Sequence, residues 1–220
     1  MKKTLIGATA MVVTLFISAC GAGGEAVPAT AQPLSVGGTV EGSPPFGVTV
    51  IEDESSVNPD VVLARGTLGS GVNPSMNVTL TDPIDVDGSA LQSISQTLSD
   101  GGCPGISVMP SNAKYATLLG FSVFEDDEFN IFPDGYLFLT DAADVDGLAG
   151  GDTIYAYWLV DREATVRGSC EGDSISVNLA EGWNLVSVTL RGDSSAAVRH
   201  VASPKSDARW IWSTSSLGLF

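Results

Sequence analysis

Thr153-Ile154-Tyr155-Ala156-Tyr157-Trp158-Leu159-Val160 and Asn184-Leu185-Val186-Ser187-Val188-Thr189-Leu190-Arg191 are the two runs that decide the fold. From Ile154 to Val160 the first run is apolar on both faces of a period-two pattern, which predicts a central strand covered from each side. In the second, Val186, Val188 and Leu190 alternate with Ser187, Thr189 and Arg191. That alternation predicts a half-buried antiparallel strand with one face in a core and the other in water.

Working outward, similar short runs recur roughly every ten residues with turn signals between them, the pattern of a sandwich or barrel. Upstream they lie at Leu34 to Val40, Gly47 to Ile51, Val61 to Thr67, Met76 to Leu80, Tyr115 to Phe124 and Gly135 to Thr140. The remainder are Thr165 to Cys170, Ser174 to Leu179, Val198 to Ala202 and Arg209 to Ser213. One helix is expected from Ser89 to Leu98, where Leu91, Ile94 and Leu98 share a face and Ser89 serves as N-cap. The fold predicted for residues 34–220 is all-β: an antiparallel immunoglobulin-like or transthyretin-like β-sandwich with a short helix near 89–98. Its length admits one domain or two sub-domains divided near 99–112.

Before this body comes a segment of different character. Lys2 and Lys3 precede an apolar stretch from Leu5 to Phe16, shorter than the roughly 20 residues of a spanning helix. It ends in Ile17-Ser18-Ala19-Cys20, which resembles the lipobox of bacterial lipoproteins. The resemblance implies a signal peptide over 1–19 and lipidation of Cys20, with diacylglycerol on its thiol and a fatty acyl chain such as palmitate on its new amine. Two or more chains give stable anchoring, at roughly 0.8 kcal/mol per buried methylene. Residues 20–33 then read as the lipidated cysteine and a flexible tether rich in Gly, Ala, Pro and Thr. Gly21 stands where enteric lipoproteins carry the aspartate of inner-membrane retention, so the outer membrane or cell surface is the expected address.

Loss of the leader removes two lysines and no acid, taking the formal net charge from -16 to -18. Such a body is repelled by phosphate backbones and anionic headgroups, which argues against nucleic acid as a partner and leaves lipid on Cys20 as the membrane contact. With Cys20 lipidated, Cys103 and Cys170 remain, an even number in an exported chain, and a disulfide between them is expected. Closing so long a loop stabilises by about 4 kcal/mol in the chain-entropy model.

Thr81-Asp82-Pro83-Ile84-Asp85-Val86-Asp87-Gly88 recurs as Thr140-Asp141-Ala142-Ala143-Asp144-Val145-Asp146-Gly147, each copy following a run that ends in Leu. Closely spaced carboxylates with a glycine are the chemistry of a calcium loop, making Asp82, Asp85, Asp87, Asp141, Asp144 and Asp146 a candidate Ca2+ set. EF-hand grammar fails, because Ile94 and Thr153 occupy the positions six after each glycine, where a bidentate Glu belongs. The competing reading is a pair of plain turns in which Asp bonds its own backbone. Glu125-Asp126-Asp127-Glu128 is a second acidic cluster, read as a solvated loop that guards a strand edge.

Enzyme readings find little support. His200 is the only histidine, too few for the copper site of a superoxide dismutase built from imidazoles. Gly172-Asp173-Ser174-Ile175 resembles the nucleophile block of GDSL-type hydrolases, yet Ala197 stands where the Asp of their Asp-x-x-His belongs. Ser111-Asn112-Ala113-Lys114 has the Ser-x-x-Lys spacing of penicillin-binding enzymes but follows Pro110 and lacks a companion Lys-Thr-Gly.

The run Tyr155-Ala156-Tyr157-Trp158-Leu159-Val160-Asp161-Arg162-Glu163-Ala164-Thr165-Val166, followed by Gly168 to Cys170 and by Val177-Asn178-Leu179-Ala180-Glu181-Gly182-Trp183-Asn184-Leu185-Val186, resembles a group of small envelope lipoproteins of deinococcal bacteria. These share the lipobox, the tether and an opening strand like Val36-Gly37-Gly38-Thr39-Val40. The resemblance implies a non-enzymatic envelope component, some relatives being accessory to surface-layer or outer-membrane assemblies, and transfers no catalytic residue. The expected function is a lipid-anchored, non-catalytic cell-envelope protein serving as a structural or binding component of an envelope or surface-layer assembly. The alternatives are a calcium-binding adhesion-type module and an exported metal-dependent oxidative-stress enzyme such as a superoxide dismutase-like sandwich.

Overall fold

The computed structural model describes residues 34–42, 44, 49–100, 103, 105–125, 133–170, 173–191, 196–201 and 203–217, with the backbone alone at 170, 173, 196–198 and 200. The first described elements are β1 (Ser35–Glu41), β2 (Thr49–Glu54), β3 (Val62–Leu68) and β4 (Ser75–Leu80). Two 3-10 turns, Pro83–Asp85 and Gly88–Ala90, lead to β5 (Gln92–Ser93) and the helix α1 (Ile94–Asp100). Next come β6 (Ser107–Met109), β7 (Lys114–Leu118), β8 (Phe121–Glu125), β9 (Gly135–Thr140) and β10 (Thr153–Val160). The remainder is β11 (Ala164–Cys170), β12 (Asp173–Leu179), β13 (Gly182–Arg191), β14 (Ala196–Val201) and β15 (Arg209–Ser213).

All of these strands belong to one hydrogen-bonded sheet, so the all-β class is as the pattern predicts. The immunoglobulin-like or transthyretin-like sandwich is not confirmed. Seven strands run in the order β15-β1-β4-β3-β2-β8-β9, and β9 pairs back onto β15 from Arg209 opposite Thr140 to Ser213 opposite Tyr136, closing a barrel. Closure removes the free edges that a sandwich would leave on these strands. From the barrel the sheet continues through β10, β13, β14, β12, β11 and β6 as an open extension.

Strand β10 is the hinge of this plan. It pairs with β9 only at Ile154 and Tyr155, then with β7 from Tyr157 to Val160, while β13 covers its other edge along the whole length. All eight residues are buried. Tyr155, Tyr157 and Leu159 enter the core of the barrel, whereas Ala156, Trp158 and Val160 enter a second core with Ile94, Val108, Ala113, Val166 and Val177. The two-sided apolar run at 154–160 therefore means what period two says it means: each face has its own core.

Three local expectations are corrected. In β13 the supposedly wet face is not wet, since Ser187 is 7% exposed, Thr189 is half-buried and only Arg191 is fully in solvent. The segment leading into β15 covers it, with the Lys205 N–H on the Tyr155 hydroxyl at 2.9 Å, and Thr189 shares a hydroxyl bond of 3.0 Å with Thr153. The helix begins at Ile94 rather than Ser89, because the Asp87 carboxylate takes the Ser89 N–H at 2.6 Å and winds a 3-10 turn there. Ser93 caps the true helix by accepting from Gln96 N–H at 3.2 Å, and Leu91 and Ile94 enter different cores.

The third correction concerns the run from Tyr115 to Phe124, which is two strands. Leu118 pairs with Tyr157 in the open sheet and Phe121 with Leu137 in the barrel. The chain crosses between them at Leu119-Gly120, where a Cβ on Gly120 would lie 2.6 Å from the Leu137 carbonyl and 2.8 Å from the Phe138 ring. Glycine is required by that close approach.

Candidate functional site

The two acidic turns are the first place to look for chemistry. Both follow barrel strands, β4 and β9, and in both the central valine turns inward: Val86 packs against the barrel core and Val145 is 2% exposed. The flanking carboxylates are thereby held outward, and three of the six aspartates are spent close to home. Asp82 accepts from Ile84 N–H at 3.1 Å, Asp87 from Ser89 N–H at 2.6 Å and Asp144 from Asp146 N–H at 3.1 Å. These are the local side-chain to backbone bonds that favour Asp in turns. The Ser89 bonds hold the Asp87 carboxyl below its usual range.

Asp141 departs from its counterpart Asp82. It reaches across to β10, accepting from Thr153 N–H at 2.6 Å, and forms an ion pair with the Lys205 ammonium, which also bonds the Thr153 hydroxyl at 3.1 Å. Partial burial opposes its charge, yet the lysine and the Thr153 donors outweigh that and keep the carboxyl below the ordinary range. Asp146 takes a long bond of 3.4 Å from the Ser213 hydroxyl, and Asp85 lies exposed in the first 3-10 turn. Among the described residues no three His, Cys, Asp or Glu side chains come together in a way that could hold a metal ion. The six aspartates of the calcium reading are thus distributed over three turn caps, the Asp141 latch, the Asp146 bond to β15 and the exposed Asp85, not pooled into a cage.

Of the remaining sequence candidates, Cys103 is disulfide-bonded, and its N–H caps α1 on the Leu98 carbonyl at 2.8 Å. Strand β11, ending at Cys170, pairs with β6 at Arg167 opposite Ser107, so Cys170 and Cys103 are carried to the same end of that pair. The side chain of Cys170 lies outside the described residues, as do Cys20, Asp126 to Glu128 and the imidazole of His200. The backbone of His200 is opposite Ser187 in the β13–β14 pair, inside the sheet. Gly172 is outside the description, and Ser174 lies in β12, its hydroxyl accepting from Arg191 at 3.3 Å. Lys114 opens β7 and donates its N–H to Asp161 at 2.8 Å, while Ser111 gives its carbonyl to the Ser95 hydroxyl at 3.1 Å.

One titratable residue escaped the sequence reading. Asp53 stands in β2 in phase with Thr49 and Ile51, both fully buried, and both of its oxygens accept from the Ser122 N–H at 3.1 Å. Burial pushes its carboxyl up to about 7, against the bonds from Ser122, and the negative charge of neighbouring Glu52 acts in the same direction as burial. Its signal in the sequence was an acid at an inward position of an alternating strand. Among the described residues no helix is long and apolar enough to cross a membrane.

No family model, curated protein or solved structure matches this chain.

Proposed function

We propose that this protein is a lipid-anchored, non-catalytic component of a bacterial cell envelope, held by lipid on Cys20 at the outer membrane or cell surface and acting as a structural or binding element of an envelope or surface-layer assembly. The observation that carries the reading is the run Ile17-Ser18-Ala19-Cys20 behind a short charged and apolar leader. Among the described residues the first strand, β1, opens at Ser35, after the Gly, Ala, Pro and Thr stretch assigned from the sequence as tether. Polar groups in the body are used to tie strands together: the Lys205–Asp141–Thr153 cluster and the Trp183 indole on the Thr81 carbonyl both join separate elements. Exported placement also suits a covalent staple, and we assign Cys103 its disulfide with Cys170, which fastens the end of α1 to the end of β11.

The test is fractionation of cells carrying the Cys20→Ala chain. The variant should fold and leave the membrane fraction or accumulate unprocessed, and wild-type protein should carry a mass consistent with acylation. Unchanged membrane association of an unacylated chain would overturn the anchor. Crosslinking in intact envelopes then asks for the neighbour: recovery of envelope proteins supports an assembly role, and recovery of lipid alone removes it.

A further inference from the structure

Three of the six large hydrophobic side chains exposed among the described residues, Leu34, Val57 and Ile84, stand at one rim of the barrel. Strand register sets the start of β1, the end of β4, the start of β3 and the end of β2 side by side: Ser35 is opposite Thr79, Leu80 opposite Ala64 and Val62 opposite Glu54. Leu34 precedes β1, Val57 lies in the connection from β2 to β3, and Ile84 lies in the turn after β4. Ile84 is 86% exposed, the most of any large aliphatic among the described residues.

Local bonds hold these side chains out. Asp82 accepts from the Ile84 N–H at 3.1 Å while Val86, two residues on, packs against the barrel core, so Ile84 is turned to solvent. The Asn58 amide donates to the Ser89 hydroxyl at 2.9 Å and the Ser55 hydroxyl to the Ala90 carbonyl at 2.6 Å, which fastens the Val57 connection to the same turn. The Leu80 N–H donates to the Leu34 carbonyl at 2.6 Å and keeps Leu34 beside them. In the sister turn after β9, Ala143 takes the place of Ile84.

We propose that this rim is a second membrane contact: it docks on the zwitterionic surface of the leaflet that holds the Cys20 lipid, with Ile84 as the deepest residue and Val57 and Leu34 beside it. The inference rests on the lipid anchor proposed above. Residues 20–33 end at Leu34, on this rim itself, and their 14 residues can span at most about 50 Å, so the rim is where the anchor attaches the barrel to the leaflet. Anchoring makes the contact intramolecular, and a small apolar area then suffices to hold it. Charge selects the lipid. Glu54, Asp60, Asp82, Asp85 and Asp87 are exposed around the apolar tip, and Lys114 acts on Asp87. These carboxylates stay at headgroup level, where the ammonium groups of zwitterionic lipid face them and anionic headgroups repel them. A second copy of the chain would set the same carboxylates against one another.

The experiment places an environment-sensitive fluorophore on the full acylated chain through Ile84→Cys, and in a separate protein through Val72→Cys, which is 77% exposed in the β3–β4 connection at the opposite rim. Both proteins are reconstituted with phosphatidylcholine vesicles, and flotation reports the anchor independently. The label at 84 should shift to shorter wavelength and be quenched by nitroxide-bearing lipid, and the label at 72 should do neither. Replacing part of the lipid by phosphatidylglycerol should reverse the shift at 84 while the protein still floats. Equal emission at 84 and 72 on a chain that floats would overturn the docking and leave the anchor standing, as would a shift that grows with the anionic fraction. Shielding of 84 that appears only when envelope proteins are added would overturn it in favour of a protein partner. A chain that carries no acyl group and does not float would remove both the anchor and the docking.

Discussion

Trp183 and Trp158 sit on adjacent rungs of the β10–β13 pair, Trp183 opposite Leu159 and Trp158 opposite Asn184, and they point into different cores. Both are nearly inaccessible, at 1% and 4% exposure. In the barrel core the Trp183 indole N–H donates to the Thr81 carbonyl at 2.8 Å, where the turn after β4 offers an acceptor. In the second core the Trp158 indole N–H has no hydrogen-bond partner among the described residues and packs against the Tyr115 ring at 5.3 Å, tilted by 56°. The barrel face of the pair abuts a strand exit whose carbonyl takes the indole, while the other face is walled mainly by aliphatic side chains and the Tyr115 ring, and among the described residues none accepts from Trp158. The same residue type at equal burial is thus satisfied on one side of a sheet and orphaned on the other, and what decides it is which backbone groups a strand end leaves unpaired.

The comparison makes Trp183 the more costly position to disturb. Trp183→Ala should lower unfolding free energy by about 3–5 kcal/mol, the range for deleting a buried aromatic side chain, and it also leaves the Thr81 carbonyl unpaired. Equilibrium denaturation read from the midpoint at constant slope checks it. A loss near zero would mean that the barrel core does not depend on this face of β13.

Glycines separate the two regions by a smaller margin. In the barrel a Cβ on Gly66 would stand 2.2 Å from the Asn77 carbonyl oxygen and 2.8 Å from the Val78 Cα, both in β4 and held by the β3–β4 ladder. Gly66→Ala should therefore cost about 1–3 kcal/mol, the usual penalty of overpacking, or prevent closure. In the open sheet a Cβ on Gly168 meets the Ile106 Cα at 2.9 Å, but Ile106 only flanks the three-residue strand β6 at the sheet's end, outside the ladder. The φ of +153° adds strain there. Thermal melts of the two alanine variants should rank Gly66 as the more damaging.

Alkaline pH probes the barrel face of β10 specifically. Burial pushes the Tyr157 hydroxyl up to about 12 from 10, so the folded state resists losing this proton while the unfolded chain gives it up readily. Stability is full below pH 10 and declines as pH rises toward the higher value, by at most about 1.4 kcal/mol per unit. Tyr157→Phe should flatten that decline, as measured by denaturation midpoints across the range. Identical slopes in the two proteins would show that another group governs the alkaline limb.

Much of this architecture was written in local pattern. The two-sided run at 154–160 gave the wall between the cores, and most strands fall within two residues of the expected positions. Barrel closure was not legible, because it rests on β15 pairing with β1 from across most of the chain and with β9 from about a third of it, and no local periodicity encodes a partner. The helix was misplaced because Leu91, Ile94 and Leu98 mimic a helical stripe although the first two serve separate cores. At the candidate site the repeat Asp-Val-Asp-Gly was visible, but equal sequence did not give equal use. Asp141 finds Lys205, which is distant in sequence, while Asp82 finds only its own turn. Asp53 was hidden for the same reason as the barrel, since its partner Ser122 is 69 residues away.

The smallest expected effect is also the sharpest test of the opening contrast. Trp158→Phe removes an indole N–H that has no partner among the described residues, recovering about 1–3 kcal/mol of desolvation cost, and sacrifices part of a ring whose loss of packing is of similar size and opposite sign. The net change should lie within about 1 kcal/mol of zero. Trp183→Phe loses comparable ring area but also strands the Thr81 carbonyl, so its two terms add instead of cancelling. Measured side by side, the pair should differ in favour of Trp158→Phe although wild-type burial is almost the same. Equal losses would mean that the Trp158 N–H is satisfied after all, by the face of the Tyr115 ring or by water, and that the two cores treat their polar groups alike.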